Sequence, residues 1–174
     1  MEKQFVQIEI IAKRSTENDA ISQEIVEKCI KIAHEAHFQQ RDRDGNAVIL
    51  HPLIVGSMGK TDAEKCVGFL HDVVEDSDWT FDDLLSEGLP TIIVDTLRLL
   101  THQEGTDYYE YVQRIIDSGN QTAINVKRND LLHNIARGKA FGYNNLIAKH
   151  EKALRMIEKA SIDEMQKLKE YNWL

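Results

Sequence analysis

The chain has 174 residues, 42% of them apolar and 29% charged, which suits one globular domain with its own core. A formal net charge of −8 argues against a nucleic-acid binder, which presents a basic surface, and lets an anion approach only where a metal or local cations offset the field. No apolar run reaches the ~18 residues of a membrane span, and the first residues lack the apolar core and cleavage site of a signal peptide, so a cytoplasmic protein without nucleic-acid or membrane partners is expected.

Helical periodicity dominates the chain, and the expected class is all-α, a single helical-bundle domain over residues 1–174. Only "MEKQFVQIEI" at the start hints at strand. From about Asp19 to Phe38, Ile21, Ile25, Cys29, Ile32, Ala33 and Ala36 recur at helical spacing, with Asn18 or Asp19 as the cap. Cys29 and the later Cys66 both fall in apolar helical patterns, as reduced core residues do in the cytoplasm. "QQRDRDGNAVIL" reads as a charged, hairpin-like loop around Asp44-Gly45. His51-Pro52 marks a helix start, since proline fits the first helical position. Thr61 or Asp62 caps the next helix, which is expected to run through "FLHDVVEDSDW". Further helices are expected over Asp78 to Ser86, Pro90 to Leu100, Asp107 to Ile116, Gln121 to Arg137 and Asn144 to Lys159, with a separate terminal one near Asp163 to Tyr171.

The segment "FLHDVVEDSDW" carries the chemistry. On a helix, residues three or four apart share a face. Glu75 therefore looks into the space next to His71 and Asp72, and Asp76 flanks Asp72. One helix cannot close a coordination sphere, and two other segments offer ligands. "VILHPLIV" sets His51 at a helix start in an apolar surround, and "NVKRNDLLHNIARG" sets Asp130 on a helix with Asn134 one turn on. Two imidazoles and two carboxylates, His51, His71, Asp72 and Asp130, suit manganese, iron or zinc better than an all-sulfur site would. His133 faces another side of that helix and reads as structural. His34, His37, His102 and His150 lack a partner pattern and read as surface or core residues.

On these residues the sequence resembles the HD-domain metal-dependent phosphohydrolases, and within them the RelA/SpoT-type hydrolase domain that removes the 3′-pyrophosphate of ppGpp. The matching segments are "AHEAHFQQRDRDGNAVILHPLIV", "VGFLHDVVEDSDWTFDDL", "LRLLTHQEGTDYYEYVQRI" and "INVKRNDLLHNI", in the family's order. The resemblance places the metal ligands on His51, His71, Asp72 and Asp130. It places the water-activating acidic pair on Glu75 and Asp76, and a substrate-contacting asparagine on Asn134. The basic residue ahead of the His-Pro segment falls on Arg41 or Arg43, and Arg137 stands one turn beyond Asn134. Lys127, Arg128 and Lys139 are further cations in reach of the motif.

The chain departs from the family at Ala47-Val48, where a Pro-Tyr pair is usual, at Ser77 for threonine, and at Asn129 for a small residue. With no synthetase segment after the motif, the resemblance implies a small, hydrolase-only member. It implies a divalent cofactor, manganese first, and a small-molecule nucleotide as substrate. Three activities fit: ppGpp 3′-pyrophosphohydrolase; hydrolysis of another nucleotide, such as a nucleoside monophosphate or NADPH; and a non-catalytic metal-containing sensor, which would have no need of the acidic pair. The sequence leaves the oligomeric state open.

Overall fold

The computed structural model describes residues 21–170, so the strand hinted at in the first ten residues and the Asn18 or Asp19 cap lie outside it. Within the described residues the regular structure is helical, apart from one isolated antiparallel bridge between Arg41 and Ala47. That bridge closes the charged loop around Gly45, whose φ of 81° is one that glycine adopts without strain. The helices are α1 (Gln23–Ala36), α2 (Leu50–Ser57), α3 (Asp62–Leu70), α4 (Val73–Asp76), α5 (Phe81–Ser86), α6 (Thr91–Leu100), α7 (Tyr108–Asp117), α8 (Gln121–Phe141) and α9 (Asn144–Glu170).

Local chemistry sets most of these boundaries. Ser22, Thr61, Asp107 and Asn120 each accept backbone N–H bonds at the start of α1, α3, α7 and α8. Thr80 and Asp83 form a reciprocal capping box, so α5 starts later than the expected Asp78. Pro52 is the third residue of α2 rather than the first, still within the turn whose N–H groups have no helical partner. α8 runs past Arg137 to Phe141 and ends on left-handed Gly142 at φ 76°. The two helices expected at the end of the chain are one, α9, because no glycine or proline interrupts residues 144–170.

One departure shapes the site. The helix expected to run through "FLHDVVEDSDW" stops at Leu70 and restarts at Val73. The carbonyl of Gly68, the natural acceptor for the amide of Asp72, takes the His71 Nδ1–H at 2.7 Å instead. His71 and Asp72 therefore lie on a break between two helices.

α8 threads the centre and packs against α2, α3, α6, α7 and α9. Ile32, Leu70, Leu84, Ile93, Leu97, Ile115, Leu131 and Ile157 fill the core, and Cys29 and Cys66 are buried there as free thiols. No described helix is long and apolar enough to cross a membrane.

α2 and α3 cross at two glycines. A Cβ added to Gly68 would stand 2.7 Å from the Cα of Gly56, and one on Gly56 would strike the Phe69 ring. This backbone approach holds α2, which carries His51, close against α3, which leads into His71. Gly68→Ala is expected to cost about 1–3 kcal/mol through overpacking, outweighing the ~1 kcal/mol it gains in helix propensity. Thermal unfolding and metal content should both fall; a variant that melts higher and keeps its metal would show that the crossing does not set the spacing.

Candidate metal centre and substrate cleft

The Nε2 atoms of His51, in the first turn of α2, and His71, just past α3, lie 3.2 Å apart. Asp72 brings Oδ2 to 3.4 Å from the first nitrogen and Oδ1 to 3.2 Å from the second. From α8, Asp130 Oδ1 stands 3.2 and 3.8 Å from the same two atoms. Ligand atoms of His51, His71 and Asp72 all lie within 4.8 Å of one another. Segments far apart in sequence thus converge on one point.

The ring nitrogens facing away from that point are fixed. His71 Nδ1–H donates to the Gly68 carbonyl. His51 Nδ1 lies 2.6 Å from Nδ1 of His133, the two rings meeting edge to edge with planes 21° apart and centroids 4.9 Å apart. Burial, then the neighbouring His51 and Arg137, push His133 down to about 4, so it is neutral and accepts the His51 Nδ1–H. Both Nε2 lone pairs then face each other between two carboxylates. A divalent cation converts that repulsion into coordination, so the donor set fits such an ion. His133, expected to be structural on another face of its helix, instead orients His51; only the packing of α2 on α8 reveals it.

Asp130 is held from both sides. Its Oδ2 accepts from Lys127 Nζ at 2.9 Å and its Oδ1 from Asn134 Nδ2 at 2.5 Å. Burial opposes its ionisation, but Lys127 outweighs this and keeps the carboxyl well below the usual range. Lys127 is a buried counter-ion rather than a cation on an open helix face.

A cleft of about 380 Å³ opens over the cluster. Arg43, Asp76, Asn134 and Arg137 line it together with His51, Asp72 and Asp130. Arg137 is paired with Asp42 at 2.7 Å, and Arg43 sits 4.7 Å from the centroid of the Tyr143 ring. Arg41 does not line the cleft, because its backbone is turned to the Ala47 bridge and its side chain is exposed. Arg128 and Lys139 pair at the surface with Glu158 and Glu151. Val48, one of the residues standing for the usual Pro-Tyr, forms part of the cleft wall. His150 also lines it, with a buried Nδ1 that lacks a described partner, although the sequence offered no sign of this.

Glu75 lies behind the cluster. It is open to solvent on its outer side, but its carboxyl meets a chamber walled by Leu100, Tyr108 and Tyr111. Oε1 accepts the His102 backbone N–H at 2.5 Å. Burial raises the Glu75 carboxyl to about 7, assisted by the charges of Asp72 and Asp76 and opposed by the His102 amide. Burial and Asp72 also raise Asp76. His102, which showed no partner pattern in the sequence, proves to position Glu75.

The helical bundle focuses two histidines and two aspartates on one point, with an acid of raised pKa beside them, and this defines a candidate metal centre. Part of the chain is similar in sequence to proteins of the RelA/SpoT type, and its fold is similar to that of a SpoT ortholog. The chain is 41% identical over 70 residues to chloroplastic RSH1 of Arabidopsis thaliana, named for GTP diphosphokinase activity, covering 37% of this chain and 8% of that protein. It is 39% identical over 56 residues to a Synechocystis protein named as a probable guanosine-3′,5′-bis(diphosphate) 3′-pyrophosphohydrolase, covering 30% and 7% of the two. The matches therefore span less than a tenth of these relatives' own length. A solved structure of a metazoan ortholog of SpoT, described as hydrolysing ppGpp with a role in starvation responses, superposes with a TM-score of 0.56. It covers 80% of this chain and 97% of its own at 20% identity, which establishes a shared fold. No protein-family model matches the chain.

Proposed function

We propose that this chain is one metal-dependent hydrolase domain that converts guanosine 3′,5′-bis(diphosphate) and water to GDP and pyrophosphate. The observation that carries this reading is the convergence of His51, His71, Asp72 and Asp130 beside Glu75 and Asp76, in a fold shared with a SpoT ortholog. His51, His71, Asp72 and Asp130 would hold the ion, and manganese suits their mixed nitrogen and oxygen donors. When bound, the ion acidifies water and polarises a phosphoryl oxygen.

The chain's own groups supply the rest. Glu75, with one oxygen fixed by the His102 amide, takes the proton of the attacking water. The water oxygen bonds to phosphorus as the bond from phosphorus to the ribose 3′-oxygen breaks, and that oxygen is protonated from solvent. Asp76, on the opposite side of the cluster, orients the water. Arg43, Arg137 and Asn134 bind the nucleotide and offset its charge. Free, buried Cys29 and Cys66 fit a reducing cytoplasm, where turnover of ppGpp would place the protein in the stringent response.

A second reading is favoured by Val48 in the cleft wall where the family has an aromatic: the substrate would be another phosphorylated nucleotide, such as NADPH or a nucleoside monophosphate. A hydrolysis screen over a nucleotide panel with manganese added separates the two, with ppGpp turned over fastest under the first.

A further inference from the structure

The chamber behind the cluster is far larger than one attacking water needs. It measures about 210 Å³, against the ~30 Å³ that a water occupies in the liquid. Asp72, Tyr108, Lys127 and Asp130 line both this chamber and the front cleft, so the two adjoin at the metal-ligand cluster. The front is furnished for a nucleotide; the back holds two ammonium groups on one aromatic wall. Lys127 Nζ lies 5.6 Å and Lys149 Nζ 3.8 Å from the centroid of the Tyr108 ring.

The two lysines are not equivalent. Lys127 is committed to Asp130. Lys149 has no carboxylate within ion-pair distance among the described residues, and the Tyr108 hydroxyl donates to none of them. Burial and the neighbouring Lys127 lower the Lys149 pKa. Adjacent residues of α9 thus serve the two spaces, Lys149 the chamber and His150 the cleft.

We propose that this chamber is the subsite for the distal phosphate of a pyrophosphoryl group, with Lys149 Nζ and the Tyr108 hydroxyl as its donors. The inference rests on the reading of the cluster as a phosphohydrolase centre and adds a source of selectivity. With the scissile phosphoryl group at the cluster and the nucleoside toward Arg43 and Arg137, the second phosphate of a pyrophosphoryl substrate enters the chamber. A monophosphoryl group leaves it empty and forgoes both donors.

The test is calorimetric titration of the metal-loaded protein, without free metal, using inorganic pyrophosphate and orthophosphate in turn. Pyrophosphate should bind at least tenfold more tightly than orthophosphate. Lys149→Met should remove most of that preference while leaving orthophosphate affinity within about twofold, and Lys149→Arg should restore it. Helical circular dichroism and metal content serve as folding controls. Equal binding of the two anions by the unmodified protein, or unchanged pyrophosphate affinity in Lys149→Met, would overturn the subsite. Preference for pyrophosphate lost in Lys149→Met, in a protein that does not hydrolyse ppGpp, would keep the chamber and remove the substrate assignment. Brisk ppGpp hydrolysis with unaltered KM and pyrophosphate affinity in Lys149→Met would do the reverse.

Discussion

Glu75→Gln is expected to lower turnover by about 10²–10⁴-fold, the span typical of a general base, while the protein keeps near one equivalent of divalent metal. The substitution preserves the shape of the side chain and an oxygen for the His102 amide. It removes only the group that takes a proton. His51→Ala removes a ligand instead and should lose metal and turnover together. A pH profile adds a second check. Because the carboxyl is raised to about 7, it is protonated below that pH and available as a base above it. The rate of the unmodified enzyme should therefore fall tenfold per unit as pH drops below about 7 and level off above it. Unimpaired turnover in Glu75→Gln would remove Glu75 from the role of base.

The second large effect is structural. Asp130→Ala leaves Lys127 as a buried cation without its partner, from a pair now 2.9 Å apart with both side chains about nine-tenths buried. Removing one member of such a pair costs about 3–5 kcal/mol, most of it the uncompensated charge. Denaturant unfolding should show that loss. Adding Lys127→Met, which fills similar volume without charge, should recover most of the stability but neither metal binding nor turnover. A single variant as stable as the unmodified protein, or a double variant no more stable than the single one, would show that the pair does not hold this part of α8.

Much of this site was legible in the sequence because ligand types and order survive without knowledge of packing. His51, His71, Asp72 and Asp130 are drawn to one point, and Glu75, Asp76, Arg43, Asn134 and Arg137 line the adjoining spaces. The break at His71-Asp72 was not legible, because apolar periodicity continues through Val73 and Val74, and the cause is a side-chain bond to the Gly68 carbonyl. His133 and His102 act through contacts with residues 82 and 27 positions away, which no local spacing encodes. Lys127 and Lys149 look like ordinary charges on amphipathic helices until α7 supplies the aromatic wall between them. Arg41 and Arg43 are alternatives in sequence, and only the bridge to Ala47 turns the first away from the cleft.

The reaction itself is the most direct test of the central claim. Pure protein is incubated with manganese and guanosine 3′,5′-bis(diphosphate), and the products are separated by ion exchange. The expected result is GDP and pyrophosphate in equal amounts, with the 5′-diphosphate intact. Release of single phosphates, or no reaction beside brisk turnover of NADPH or a nucleoside monophosphate, would contradict it.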